Sequence, residues 1–245
     1  MALLAHISDI HIDDGERSAE RTTRIFRYLA ALPSPPDAIV ITGDIADHGA
    51  EGEYERARVL TESPIPVLFC PGNHDSRVPY RKALLGEEPA DGPINRAHDI
   101  AGHRILLADS SIPGRNDGLL ADETLDWLAA NLAEHPDRPT LIGFHHPPVR
   151  LGIPFIDDLR QFGAGRVADL VGRNPQIVAL LCGHAHTPAA TTFAGRPLLV
   201  AAGVISTLLL PFETEDIFDR TLPPIVSFHL LGDDHRITTH YRVIP

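Results

Sequence analysis

Five apolar runs in this chain end in side chains able to ligate a cation. In chain order the ends carry Asp9 and His11, Asp44, Asn73 and His74, His145, and the pair His184 and His186 within Gly183-His184-Ala185-His186. Imidazole is the commonest protein ligand for transition metals, and carboxylate and amide oxygens complete an O/N donor set suited to Mn, Fe or Zn. Each residue alone has an ordinary alternative. Asp9 or Asp44 after a strand can be a helix N-cap, Asn73 after Gly72 a turn residue, and His145 a satisfied core histidine. Their joint presence, each time at the end of an apolar run, favours the metal reading. The set exceeds what one such ion needs, whereas two ions sharing a carboxylate, about 3.5–4 Å apart as in hydrolytic sites, would use it. Cys70 and Cys182 form no CxxC pair and no disulfide framework, so a cysteine-type zinc site is not expected.

The elements that must position these groups are legible from hydrophobic pattern. Strands are predicted at 2–8, 38–42, 67–70, 141–144 and 177–181, each a buried-type run ahead of one motif. Helical periodicity covers 17–32, stopping at Pro33-Ser34-Pro35-Pro36, and shorter helices are predicted at 51–61, 80–85 and from 166 to 171. The segment 122–132 reads as a helix with Asp122 as N-cap and Leu125, Leu128 and Leu132 inward. Strand, polar turn, helix, repeated three times, is the pattern of an α/β fold with parallel strands, in which ligands collect at the carboxyl ends of the strands. Ala101-Gly102-His103, Ala194-Gly195 and Gly232-Asp233-Asp234 each lie between two strand-like runs and predict antiparallel turns. The chain 1–245 is expected to be one domain with a β-rich edge over about 188–245.

The ordered blocks Asp9-x-His11, Gly43-Asp44, Gly72-Asn73-His74-Asp75, His145 and Gly183-His184-x-His186 resemble the calcineurin-like metallophosphoesterases. Within them the chain is most similar to the class III cyclic-nucleotide phosphodiesterases and their glycerophosphodiesterase relatives. The resemblance runs from about Ala2 to Thr187 and implies a four-layer αββα sandwich with a dinuclear metal site. It further implies Asp9, His11 and His186 as ligands of one ion and Asn73, His145 and His184 as ligands of the other, with Asp44 bridging. His74 would contact the phosphate or protonate the leaving oxygen. Such a site hydrolyses a small phosphodiester, a cyclic nucleotide such as cAMP or a glycerophosphodiester, by in-line attack of a metal-activated hydroxide. Asp75 and Asp47 would orient ligands from outside the metal sphere. His146 has either that role or a purely structural one. Arg77 would reach a substrate phosphate or form a surface salt bridge. The segment 149–162 resembles the substrate-side loop of those relatives, and Leu208-Leu209-Leu210-Pro211-Phe212 is a candidate for their dimer-forming or capping region, with core packing as the alternative.

Composition narrows the partners. A formal net charge of -12 disfavours broad nucleic-acid binding, which needs a basic surface, and with it a nuclease. Fourteen histidines, a high count for this length, are consistent with metal ligation. No apolar run reaches the roughly 18 residues of a membrane helix, and the start of the chain has no basic, signal-like segment, so a cytoplasmic protein without a membrane partner is expected. Phosphomonoesterases and nucleases use the same fold and ligands and remain alternatives for the chemistry. The lipid A pathway hydrolases of this superfamily carry Arg at the position of His74, which sets that branch aside. A non-catalytic module with this fold, as in the retromer scaffold subunit, has no need of the ligands, and here none is missing.

Overall fold

The computed structural model describes every residue except Asp233, which falls in the expected 232–234 turn and lies outside the described residues. Two sheets form the centre. The first runs Ile237–Val243, Ile225–Leu231, Ala2–Ile7, Ala38–Thr42, Val67–Cys70; the second runs Ala189–Phe193, Arg196–Val200, Ile177–Cys182, Thr140–Gly143, His103–Leu107, Arg96–Ile100. Strands leading into the site motifs pair in parallel with their neighbours, Leu4 opposite Ala38, Ile39 opposite Val67, and Leu141 opposite Ala179. Antiparallel pairs close the edges, including Ile100 opposite His103 across the predicted turn. The C-terminal β-rich region therefore supplies an edge to each sheet, and its strand Ile225–Leu231 pairs with the first strand of the chain.

Alternation along the strands creates the four layers, because successive side chains point to opposite faces. Ala5, Ile7, Ile39 and Ile41 face outward to Ile25, Leu29 and Tyr54 on the helices Glu16–Ala30 and Glu51–Leu60. Leu4, Val40 and Leu68 face inward to meet Ile105, Leu107, Leu141, Ala179 and Leu181 of the second sheet. The opposite face of that sheet, with Leu106, Ile142 and Leu180, is covered by Leu128, Leu132, Val167 and Val171 on the helices Asp122–Glu134 and Ala164–Arg173. Each fully buried Leu or Ile contributes about 1.5–3 kcal/mol, so three apolar interfaces in register hold the αββα stack.

Two local expectations change. Asp122 is the first helical residue rather than the N-cap, which is Ala121 with no side-chain cap; the Asp122 carboxylate pairs with Arg166 instead. The segment Tyr80–Leu85 is a π-helical turn preceded by Arg77–Pro79. His6 and His229, which match no motif, lie buried between strands with His6 Nδ1 3.1 Å from His229 Nε2. Burial keeps both neutral, lowering His229 to about 3. Among the described residues no helix is long and apolar enough to cross a membrane.

Candidate metal centre

Parallel pairing brings the strand ends to one edge of the sandwich, and backbone bonds cross-link the turns that follow. Asp9 N donates to Gly43 O (3.1 Å), His11 N to Asp44 O (3.0 Å) and Gly183 N to His145 O (2.9 Å). Five of the motif residues adopt a left-handed backbone: Asp9, His11, Asp44, His184 and His186, with φ between 42° and 67°. Such conformations cost of order 1 kcal/mol or more for residues with a Cβ and persist where the surroundings enforce them, commonly at functional sites. Gly72 explains itself by proximity. A Cβ there would lie 2.2 Å from Asp44 Oδ1, so the turn before Asn73 can pass the Asp44 carboxylate only as glycine.

The side chains converge on Asp44. Its Oδ2 lies 3.5 Å from His11 Nε2 and 3.3 Å from His145 Nε2, while Oδ1 accepts the His74 backbone N–H at 2.9 Å. On one side, Asp9 Oδ1 lies 3.3 Å from His186 Nε2, and Asp9, His11 and His186 can present atoms within 4.8 Å of one another. On the other, His184 Nδ1 is 3.2 Å from His145 Nε2. The two histidines of the Gly183 turn thus diverge, His186 toward Asp9 and His184 toward His145. Asp9, Asp44, His145 and His184 are all buried.

Hydrogen bonds at the outer nitrogens fix which atoms face inward. His11 Nδ1 donates to Asp47 Oδ1 (2.8 Å), and His145 Nδ1 donates to the Thr42 carbonyl (2.6 Å). Each ring then aims Nε2 at a carboxylate, a pairing that is favourable only with a proton or a metal ion between them. The electrostatics agree. Burial disfavours charge on His145, yet the Asp44 carboxylate lifts it to about 9. Burial likewise opposes ionisation of Asp44, but His145 and His11 hold it well below the usual carboxylate range; His186 and His145 do the same for Asp9. His184, by contrast, is kept neutral by burial and by His145, near 3. Asp9 Oδ1, His11 Nε2, Asn73 Oδ1 and His184 Nε2 are buried without a hydrogen-bond partner. Buried ligand-type atoms that lack donors and surround a shared carboxylate fit cations.

The remaining motif residues divide. Asp75 accepts the backbone N–H groups of Ile45, Ala46 and Gly72 (3.1, 3.1 and 2.8 Å) and the Tyr54 hydroxyl (3.0 Å), tying the Asp44 and Asn73 turns together. Burial and the Asp44 charge nonetheless raise its carboxyl to about 6. His74 is 40 % exposed, and its Nδ1 donates to the Asp47 carbonyl at 2.7 Å, leaving Nε2 free for a ligand. His146 is buried beside His145 and His184 (ring centroids 4.8 and 4.6 Å), with Nδ1 2.8 Å from Ser110 Oγ. Arg77 takes the salt-bridge alternative. Its Nε binds Asp109 at 2.9 Å and its two terminal nitrogens bind the Asp91 and Ser111 carbonyls, each at 3.0 Å, so its donors are committed away from a substrate phosphate.

The loop over 149–162 does flank the cleft, through Phe155, Ile156 and Leu159. Asp157 folds it by accepting Leu151 N and Gly152 N (2.6 and 3.1 Å). Leu208 joins the core and Leu210 packs beside it, whereas Phe212 is 84 % exposed. Two residues outside every motif also border the centre: Ser206, whose Oγ lies 2.9 Å from His186 Nδ1, and Phe218, whose ring lies 5.8 Å from that of His186. Both belong to a stretch without periodicity or ligand spacing, and no local signal marks them.

The chain belongs to the calcineurin-like phosphoesterase family, which matches residues 2–188. It is 34% identical over 226 residues to a probable cyclic nucleotide phosphodiesterase of Rhodococcus erythropolis, covering 86% of this chain and 73% of that one. It is 32% identical over 252 residues to the glycerophosphodiester phosphodiesterase GpdQ of Enterobacter lignolyticus, covering 94% of this chain and 88% of the other. In fold it resembles a dimetal phosphatase from Danio rerio, with a TM-score of 0.75, 17% identity and coverage of 100% and 96%.

Proposed function

We propose that this protein is a two-metal phosphodiesterase acting on a small phosphodiester, with the whole chain working as one catalytic domain. The observation that carries the reading is the Asp44 carboxylate between His11 Nε2 and His145 Nε2, ringed by buried ligand atoms without donors. In this reading Asp9, His11 and His186 hold one cation, Asn73, His145 and His184 hold the other, and Asp44 serves both. The all-O/N donor set suits Mn, Fe or Zn. When bound, the ions supply Lewis acidity at the phosphoryl oxygens and lower the pKa of water. Two carboxylates against two such ions leave an excess of positive charge, which attracts an anionic phosphodiester.

The chain's own groups do the rest. Asp47 holds His11 by Nδ1 and His74 by its carbonyl, so both rings are oriented before substrate arrives. His74, with Nε2 free and the side chain part-exposed, is placed to hold a phosphate oxygen or to protonate the leaving oxygen. Phe155 and Phe218 line the cleft. The names of the two relatives given above support phosphodiesters as the substrate class, cyclic nucleotides and glycerophosphodiesters among them.

Purified protein supplied with Mn²⁺ is expected to turn over bis(p-nitrophenyl) phosphate, to lose that activity on chelation and to regain it when Mn²⁺ is restored. Bound metal without turnover would instead support a non-catalytic binding module.

A further inference from the structure

The cation site read at Asn73, His145 and His184 draws on both sheets. Asn73 follows Val67–Cys70 at the edge of the first sheet, whereas His145 and His184 follow Thr140–Gly143 and Ile177–Cys182 in the second. A cation held by all three depends on how the Asn73 turn is set against the second sheet. The Asn73 side chain does not anchor itself, since its buried Oδ1 has no hydrogen-bond partner.

The other bonds of this turn lead back to the first sheet. Asp75 accepts the Ile45 and Ala46 N–H groups and the Tyr54 hydroxyl, and His74 donates to Asp44 Oδ1 and to the Asp47 carbonyl. Ser76 N donates to the Tyr54 hydroxyl at 2.7 Å. Arg77 makes the crossing. Its Nε donates to Asp109 Oδ2 (2.9 Å), and its terminal nitrogens donate to the Ser111 and Asp91 carbonyls (3.0 Å each). Asp109 and Ser111 follow His103–Leu107, the strand that pairs with Thr140–Gly143 ahead of His145.

The receiving end is itself fixed. The Asp109 side chain is fully buried; Oδ2 also accepts Ile94 N (3.0 Å), and Oδ1 accepts Ser111 N and Ser111 Oγ (2.8 and 2.6 Å). Ser110, between them, bonds His146 beside His145. A buried ion pair is weak evidence for stability, but a planar guanidinium held at three points fixes distance and orientation. The first cation site needs no such link. There His184 N donates to Asp9 Oδ2 (3.1 Å), and Val204 N and Ile205 N donate to the Ser8 and Asp9 carbonyls (2.9 and 3.2 Å).

We propose that Arg77 and Asp109 are positioning residues, a clamp between the sheets that sets Asn73 against His145 and His184 and so governs the affinity of that cation site alone. The proposal rests on the two-metal reading above and deepens it.

The test titrates metal-free wild type, Arg77→Ala and Arg77→Lys with Mn²⁺ by calorimetry. Asn73→Ala marks the binding step that belongs to the clamped site, and Arg104→Ala is a stability control. Arg104 is a buried arginine of the second sheet, bonded to Asp99 and Asn131 and opposite Thr140, at the strand end away from the motifs. In Arg77→Ala the Kd of the step that Asn73→Ala weakens is expected to rise about 10–100-fold, with the other step unchanged. Arg77→Lys keeps the charge but loses the fork, and should show a smaller rise at the same step. Hydrolysis of bis(p-nitrophenyl) phosphate by both variants should fall at limiting Mn²⁺ and recover once Mn²⁺ saturates. Arg104→Ala should lower Tm and keep both affinities. Both steps unchanged in the Arg77 variants, or both weakened in step with Tm, would overturn the clamp; if Arg77→Ala does not fold, Arg77→Lys decides by the same criterion. A wild type that binds a single ion would instead overturn the two-metal reading itself.

Discussion

Asp44→Ala is expected to lower kcat/KM for phosphodiesters by about 10³-fold or more and to leave the protein unable to retain two metal ions together. The carboxylate stands between the two halves of the centre, 3.5 Å from His11 Nε2 and 3.3 Å from His145 Nε2. The turn at Gly72 passes close to Asp44 Oδ1, and the His74 amide donates to that oxygen, which fixes the carboxylate between the two halves. Lewis-acid stabilisation of the transition state is worth several kcal/mol, and each 1.36 kcal/mol is tenfold in rate. Steady-state kinetics combined with metal analysis of the same sample measure both effects. Activity within tenfold of wild type, with both metals kept, would remove Asp44 from the bridging role.

Asp75→Ala is expected to act first on stability. Three backbone N–H groups, from Ile45, Ala46 and Gly72, lose their acceptor at once, together with the Tyr54 hydroxyl. Each buried donor left unpaired costs about 1–3 kcal/mol, so the four together give an expected loss of about 4–12 kcal/mol. For a chain of this size that is a drop in Tm of about 8–24 °C by thermal unfolding. Because Asp75 joins the turns carrying Asp44 and Asn73, activity measured well below the new Tm should fall as well. A Tm within a few degrees of wild type would show that water or a shifted side chain replaces the carboxylate.

Local pattern reaches far into this molecule. The strands that lead to Asp9, Asp44, Asn73, His145 and His184 announce themselves as short apolar runs, and each ligand follows its run within a few residues. Alternation also sorts Leu4 from Ala5 and Val40 from Ile41 onto opposite faces, which builds the four layers. What pattern misses depends on contacts indifferent to residue type or distant in the chain. The Thr42 carbonyl that orients His145 is backbone, as is the Asp47 carbonyl that holds His74, and any residue supplies one. Phe218 and Ser206 reach the site because Arg17 and Arg21 grip carbonyls more than 180 residues away. Arg77 follows the Asn73-His74-Asp75 motif directly, yet the buried Asp109 carboxylate captures it. Charge beside a motif does not reveal which way the side chain turns.

Whether two cations share the Asp44 carboxylate is measured most directly by the number of metal ions bound per chain. Metal-free protein titrated with Mn²⁺ and followed calorimetrically should bind two ions per chain, with phosphodiester hydrolysis rising as the second site fills. A single ion per chain at full activity, or full activity without bound metal, would contradict that sharing.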